Sequence, residues 1–277
     1  MTLKVIISGA SAGLGRALAH YYADSGATLG LIARRADLLE SLAAEMAEAS
    51  IYVADVRDAS ALQAAAEDFI VRHGCPDIVI ANAGISHGTL TECAEDKEVF
   101  EDILATNVVG MVNLFQPFVS VMRTVGQGSL VGIASVAGYR GLPGSGAYSA
   151  SKAAAISYLE SLRVELHGSG LSVITICPGY VVTPMTADNP FPMPFILTAD
   201  DTARKIARII ESKKSFAVIP WQMAIVARVL RLLPNFLYDR LFANAPRKPR
   251  INHTGGRGAS VEGKTGAKRS LSRTGRD

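Results

Sequence analysis

The sequence predicts an α/β protein: a doubly wound, three-layer fold on a seven-stranded parallel sheet. Three observations carry this. Short β-branched runs alternate with longer helical patterns, as in repeated βα units with right-handed crossovers. The strand runs are nearly continuously apolar, as expected of a sheet covered on both faces. A glycine-rich turn, Gly9 to Gly15, joins the first strand to the first helix.

The first strand is expected over Leu3–Ser8, with no secretory h-region ahead of it. A helix over Leu14–Ser25 opens out of the glycine turn. Thr28–Ala33 is the second strand, Ala36–Ala49 a helix, Ile51–Ala54 the third strand and Ala59–His73 a helix. Ile78–Ala81 is a short, wholly apolar fourth strand. Lys97–Val125 reads as one long helix that carries Asn107, a poor helix former whose mid-helix place points to a polar task. Strands at Ser129–Ser135, Ser172–Cys177 and Phe216–Ile219 and helices at Ala147–His167 and Ala199–Ser212 complete the alternation. Trp221–Phe242 is strongly apolar, carries Arg228 and Arg231, and is broken at Pro234. Three roles fit it: a core helix closing the sheet, a lid over an apolar substrate, or an interfacial helix with arginines toward lipid headgroups.

The chain has 277 residues, 49% hydrophobic and 19% charged, which supports one large core and excludes a disordered protein. Charge is unevenly placed. Of 28 basic and 25 acidic residues, nine and two fall in 244–277, leaving 19 and 23 in 1–243. The expected organisation is therefore one acidic domain over 1–243 and a basic, Gly/Ser-rich, disordered tail over 244–277. An acidic body argues against nucleic-acid binding. Cys75, Cys93 and Cys177 follow no ligand spacing, so neither a metal site nor a disulfide framework is expected, and a reducing compartment is. No run of roughly 18 uninterrupted apolar residues suggests a membrane span. The expected location is the cytoplasm, with peripheral contact at the inner membrane surface open to the Trp221–Phe242 helix and the basic tail.

The chemistry centres on Tyr148 and Lys152, four residues apart at the start of an alanine-rich helix and so on one face. A fixed ammonium beside a phenol favours the phenolate, which lowers the phenol pKa from about 10 and prepares it for acid/base work. The glycine turn has the spacing Gly-x-x-x-Gly-x-Gly, which brings backbone N–H groups and a helix dipole to a pyrophosphate. At the end of the second strand, Ala33 stands where a site for NAD usually carries an acid, and Arg34 and Arg35 follow. Guanidinium groups suit a ribose 2′-phosphate, so NADP(H) is favoured over NAD(H). Asp55, after the third strand, is placed to meet the adenine amino group or to cap the next turn.

Ser8–Gly15, Asp55, Asn82-Ala83-Gly84, Asn107, Ser135, Tyr148/Lys152 and Pro178-Gly179 with Thr183 resemble, in order and spacing, the short-chain dehydrogenases/reductases in their one-domain form, over about residues 3–219. The resemblance implies a Rossmann fold and NAD(P)-dependent carbonyl/alcohol chemistry. It implies that Ser135 orients the carbonyl oxygen, Tyr148 donates the proton, Lys152 lowers the Tyr148 pKa and holds the nicotinamide ribose, and Asn107 anchors a water leading to Lys152. The cofactor would be held by Gly9, Ser11, Gly13, Leu14, Gly15, Arg34, Arg35, Asp55, Val56, Asn82, Ala83, Gly84, Tyr148, Lys152, Pro178, Gly179, Val181 and Thr183. It also implies a homodimer or homotetramer joined through the helices of Asn107 and Tyr148. The departures are small: Ala81 where many members have Asn, Ser8 for the frequent Thr, and a neutral Ala12 where NADP-preferring members often carry a base.

The segment 184–197 is the expected substrate loop. It holds two methionines, two phenylalanines and no base, which suits a hydrophobic or lipid-like ketone or aldehyde. Two other readings stand beside this one: an NAD-dependent alcohol dehydrogenase, and a dinucleotide-binding interaction protein without turnover.

Overall fold

The computed structural model describes residues 2–251. The seven strands are β1 (Lys4–Ser8), β2 (Thr28–Ala33), β3 (Ala49–Val53), β4 (Ile78–Ala81), β5 (Gly128–Ile133), β6 (Leu171–Pro178) and β7 (Phe216–Ile219). They form one all-parallel sheet in the order β3-β2-β1-β4-β5-β6-β7. The order reverses beside β1, so the crossovers after β1 and β4 leave in opposite directions and open a crevice at the strand C-termini.

Side-chain alternation along the strands builds two cores. Val5, Ile7, Leu29 and Leu31 face α1 (Gly13–Asp24), α2 (Ala36–Ala44) and α7 (Ala199–Glu211), which add Leu18, Leu39 and Ile206. Ile6 and Val79 face the other way, toward α3 (Ala59–His73), α5 (Gly110–Val125) and α6 (Gly146–Glu165), which add Phe69, Phe115, Phe118 and Leu159. Gly30 of β2 lies under the Phe69 ring, where a Cβ would come within 3.0 Å of Phe69 Cδ2.

Two elements differ from the sequence reading. The helix expected to Ala49 stops at Ala44, and β3 begins at Ala49. Leu29 N–H bonds the Glu48 carbonyl at 3.0 Å, so sheet pairing overrides the helix propensity of the alanine- and glutamate-rich run. The long helix is not uniform: α4 (Asp96–Leu104) and α5 are joined by a π-turn over Ala105–Val109. The helix run Asp96–Val125 is long and on average apolar enough to cross a membrane by length and composition alone, though Asn107, Asn113 and Gln116 interrupt its apolar residues. Its buried residues Leu114, Phe115 and Phe118 sit in the second core, the situation of a core helix.

The apolar segment after β7 forms α8 (Trp221–Leu232) and α9 (Asn235–Phe242), separated at Pro234. Met223, Ala227 and Tyr238 are buried against the body. Arg140, in the loop after β5, donates to the carbonyls of Leu230 and Leu233, reaches Asn235 Oδ1 at 2.9 Å, and lies 4.0 Å over the Tyr238 ring. Tyr238 in turn donates to the Gly141 carbonyl at 2.6 Å. Of the basic tail expected from 244, residues 247–250 hold contacts on the body; residues 252–277 lie outside the described residues.

Candidate active site

A cavity of about 430 Å³ opens where the strands end. The glycine turn forms its floor. Gly9 has a positive φ of 67°, and a Cβ there would lie 2.8 Å from Ala83 Cα. A Cβ on Gly15 would strike the Gly9 carbonyl, so Gly15 serves close packing behind the cavity rather than lining it. Asn82 stitches the two strand ends together: its Nδ2 donates to the Ser8 carbonyl at 3.0 Å, and Ser8 Oγ accepts from the Asn82 and Ala83 amides at 3.1 Å each. Helix α1 starts at Ala12 with no side-chain cap, which leaves its first-turn amides beside the cavity for an anionic ligand. Ser11, Gly13 and Leu14 line the same wall. A floor that no Cβ can enter, under an uncapped helix start, fits a dinucleotide pyrophosphate.

The next wall is charged. Ala33, Arg34 and Arg35 line it from β2; Ala54, Asp55 and Val56 line it from the end of β3. Arg35 Nη2 donates to Ser11 Oγ at 3.1 Å, and Arg34 Nη1 stands 3.6 Å from Asp55 Oδ2. Asp55 accepts the Arg57 amide at 2.9 Å and the Arg57 guanidinium at 2.8 Å, so it caps its own turn while lining the cavity. The Arg57 hydrogen bonds hold its carboxyl below the usual range. Arg57 is not among the residues expected from the sequence, though its position two residues after Asp55 is the spacing of an Asx turn.

The far wall is built by β5, α6 and the turn after β6. The π-turn carries Asn107 inward, where it is 1% exposed. Its Oδ1 accepts the Ile85 amide at 2.8 Å, and its Nδ2 donates to the Ile85 carbonyl at 3.0 Å and to Ser151 Oγ at 2.9 Å. Asn107 thus stands behind the cavity and fixes the strand that leaves β4 past Gly84. Lys152 is 4% exposed; its Nζ donates to the Ile133 carbonyl at 2.8 Å and lies 5.7 Å from the Tyr148 ring centre. Ser135 Oγ accepts the Ala137 amide at 3.1 Å and donates to the Pro178 carbonyl at 3.5 Å, and Tyr148 lines the same wall. Pro178, Gly179, Val181 and Thr183 close this wall.

The electrostatics differ from the expectation that Lys152 lowers the Tyr148 pKa. Burial raises the Tyr148 pKa, with only the Ser135 hydrogen bond pulling the other way. Burial also pushes Lys152 down to about 8. The Lys152 ammonium is turned onto the Ile133 carbonyl and lies 5.7 Å from the phenol ring centre, so burial governs both groups. Beside them Cys177 is buried, and its thiol is pushed up to about 12.

The structure gathers every expected site residue around this crevice, with Gly15 and Asn107 in its supporting layer. The substrate loop is less complete. Of 184–197 only Pro184, Met185 and Thr186 line the cavity, while Phe195 and Ile196 are exposed. Ile85, Thr106, Ile133 and Ala134 also line it; nothing in their apolar or hydroxyl character marks them in the sequence. Among the described residues no group of three or more His, Cys, Asp or Glu stands together as a metal site.

Lys152 yields a stability prediction. Its folded value, about 8, lies below the 10.5 of an ordinary lysine. Between those values the unfolded chain holds the extra proton, so this group's contribution to stability rises with pH; at pH 7 its burial opposes folding. Lys152→Met is therefore expected to leave Tm at pH 7 unchanged or raised, and a clear fall in Tm by calorimetry would contradict this.

The comparisons with known proteins agree with the geometry. The family model described as short chain dehydrogenase matches residues 3–191. An oxidoreductase of Myxococcus xanthus is 37% identical over 238 residues, covering 84% of this chain and 94% of that protein. A short-chain dehydrogenase from Streptomyces avermitilis superposes with a TM-score of 0.73 at 26% identity, covering 82% of this chain and 92% of that one. An alcohol dehydrogenase from the archaeon Thermococcus sibiricus, solved with 5-hydroxy-NADP, superposes with a TM-score of 0.71 at 25% identity, covering 79% and 96%. With a Rossmann-type parallel sheet and a crevice at its strand ends, the chain belongs to the short-chain dehydrogenases, a family of oxidoreductases.

Proposed function

We propose that the protein reduces a hydrophobic ketone or aldehyde with NADPH, and that Tyr148 supplies the proton. The observation that carries this reading is the Ser135–Tyr148–Lys152 cluster, in which burial keeps the phenol protonated. A protonated phenol is the form that reduction consumes. A bound nicotinamide supplies the hydride to the carbonyl carbon. The Ser135 hydroxyl hydrogen-bonds the carbonyl oxygen and orients it as charge develops there. Tyr148 gives its proton to that oxygen, leaving an alcohol and a phenolate. The Lys152 ammonium, four residues along the same helix face, stabilises that phenolate and holds the ribose hydroxyls. Asn107 keeps the Ile85 backbone in place behind them. Val181 and Thr183 hold the carboxamide end, and Asp55 with Val56 the adenine end.

NADP(H) rather than NAD(H) is supported by Ala33 at the end of β2 and by the two guanidinium groups beside it. The NADP analogue carried by the Thermococcus sibiricus relative is in keeping with this. Met185 and Pro184 beside the cavity support an apolar substrate. Assembly as a homodimer or homotetramer through α5 and α6 is part of the same reading, supported by exposed Val112 and Val164 on those helices.

An apolar carbonyl of this kind partitions into membranes, and the reading extends to a bilayer surface. On α8, Trp221, Ile225, Val229 and Leu232 share one exposed face, with Leu232 82% exposed, and Phe236 and Leu241 continue it on α9. Over 221–242 the charged residues are Arg228, Arg231 and Arg240 against Asp239 alone, Arg231 donating to the Tyr139 carbonyl at 3.0 Å. That charge complements anionic lipid, whereas a two-fold contact between copies would set arginines against arginines.

Tyr148→Phe is expected to lower kcat by roughly 10²–10⁴-fold and leave the NADPH Kd unchanged. For the wild type, kcat/KM should climb with alkyl chain length at a fixed carbonyl; a flat profile would remove the lipid-like substrate. Arg35→Ala and Arg34→Ala should each weaken NADPH binding roughly 10–100-fold and NADH binding less than twofold, as loss of a charge-assisted bond requires. Equal effects on both nucleotides would favour the NAD-dependent dehydrogenase. Co-flotation with phosphatidylglycerol vesicles, weakened by salt and abolished by Trp221→Glu with Leu232→Glu, is the outcome expected of the exposed face. Absence of flotation, or loss of self-association in that variant, would refute the membrane contact.

A further inference from the structure

We propose that Lys248 is a positioning residue for substrate, a clasp that holds the Met185 wall of the cavity against the segment following β4. This rests on the carbonyl-reductase reading of the cavity. The observations come from residues 247–250, which continue past α9 as a strap across the body. Gly88 N–H donates to the Pro249 carbonyl at 2.8 Å, and Gly88 pairs with Arg250 in a parallel bridge. The approach is so close that a Cβ on Gly88 would strike the Lys248 carbonyl. At one end of the strap, the Arg247 stem covers Gly144, where a Cβ would come 2.8 Å from Arg247 Cβ. At the other end, Arg250 Nε donates to Asp96 Oδ2 and its Nη2 to Glu95 Oε1, both at 2.7 Å. Asp96 is 3% exposed, and its Oδ2 also accepts the Leu90 amide at 2.7 Å.

Between these anchors, Lys248 Nζ donates to Ser86 Oγ at 3.0 Å and to the Met185 carbonyl at 3.2 Å. Ser86 follows Ile85, which lines the cavity and is gripped by Asn107; Met185 lines the cavity from the opposite loop. One ammonium therefore joins the two sides of the substrate entrance. Its hydrogen-bonded acceptors are a hydroxyl and a backbone carbonyl rather than a carboxylate. The nearby Asp188 only partly offsets a desolvation that pushes Lys248 down to about 8. A methionine or leucine would pack the strap without that cost. What lysine adds is several donors on one atom, able to span two acceptors that share no strand or helix. With the clasp made, the Pro184–Thr186 wall has a fixed place against which an apolar substrate orders; without it, substrate binding must order that wall as well.

The test is Lys248→Met in the full chain, with Lys248→Arg beside it. For Lys248→Met, KM for a medium-chain ketone should rise roughly tenfold, the loss expected of one charge-assisted bond. The same variant should keep kcat, Tm and the NADPH Kd close to wild type, and Lys248→Arg should restore most of the KM. Amide hydrogen exchange should quicken at 183–187 and 86–89 and nowhere else. Unchanged KM with unchanged exchange would overturn the clasp. So would a joint fall in kcat and Tm with KM unmoved, which marks a purely structural strap. If the wild type reduced no carbonyl at all, the reductase reading would fail by itself, and exchange at 183–187 would still decide whether Lys248 clasps.

Discussion

Every feature of the site descends from the parallel register of the sheet. Parallel strands cannot be joined by tight turns, so each return crosses over as a helix, and the helices bury both faces. That is why Val5 and Ile7 go to one core while Ile6 goes to the other. It is also why all seven strands end on the same edge. Ser8 pairs level with Ile32, and Ala81 with Gly132. The other strands stop close to that level, Ala33 pairing last with Val53 and Ile133 with Ile176. The glycine turn, Arg34 and Arg35, Asp55, Asn82, Ser135 and the Pro178–Gly179 turn are neighbours because they lie at or just past the ends of successive strands.

On that edge the fold accepts local costs. A π-turn interrupts a long helix so that Asn107 can reach the Ile85 backbone. Lys152 is buried with one carbonyl 2.8 Å away, and Tyr148 is buried beside it. Each arrangement runs against the preference of the isolated residue, and each is held by stiff surroundings: Ile133 on β5, Ser151 on α6, Ile85 in the segment after β4. Polar groups kept short of water in this way respond strongly to any charge that develops between them. Lys248 extends the pattern to the substrate side, again as a partly desolvated ammonium turned onto neutral acceptors.

The sheet, its strand count and the residues of the nucleotide crevice were legible because they obey short-range rules. Apolar runs of four to six residues mark buried strands, glycines at 9, 13 and 15 mark a close approach, and Tyr148 with Lys152 share a helix face by spacing alone. The misreadings came from long-range effects. The helix propensity of the run from Glu45 to Ala49 gave way because Leu29, far away in sequence, took the Glu48 carbonyl. The lowered Tyr148 pKa counted the fixed ammonium and not the burial that governs both groups. The strap was hidden because Arg247, Lys248 and Arg250 look like solvated charge until Asp96, Glu95 and Ser86 are brought to them by the fold. Composition cannot separate the basic residues of this stretch that find partners on the body from a solvated run.

The clasp also sets an order of assembly. Lys248 meets Ser86 across 162 residues of chain and Met185 across 63. During synthesis the residues of the glycine turn and the Tyr148 helix emerge well before those of the strap. Contacts of such high sequence separation are also the slowest to close by diffusion. The nucleotide side of the crevice is thus encoded ahead of the residue that joins the two sides of the substrate entrance. The two specificities therefore draw on opposite parts of the sequence: nucleotide binding on the early residues, the shape of the substrate entrance on a late one.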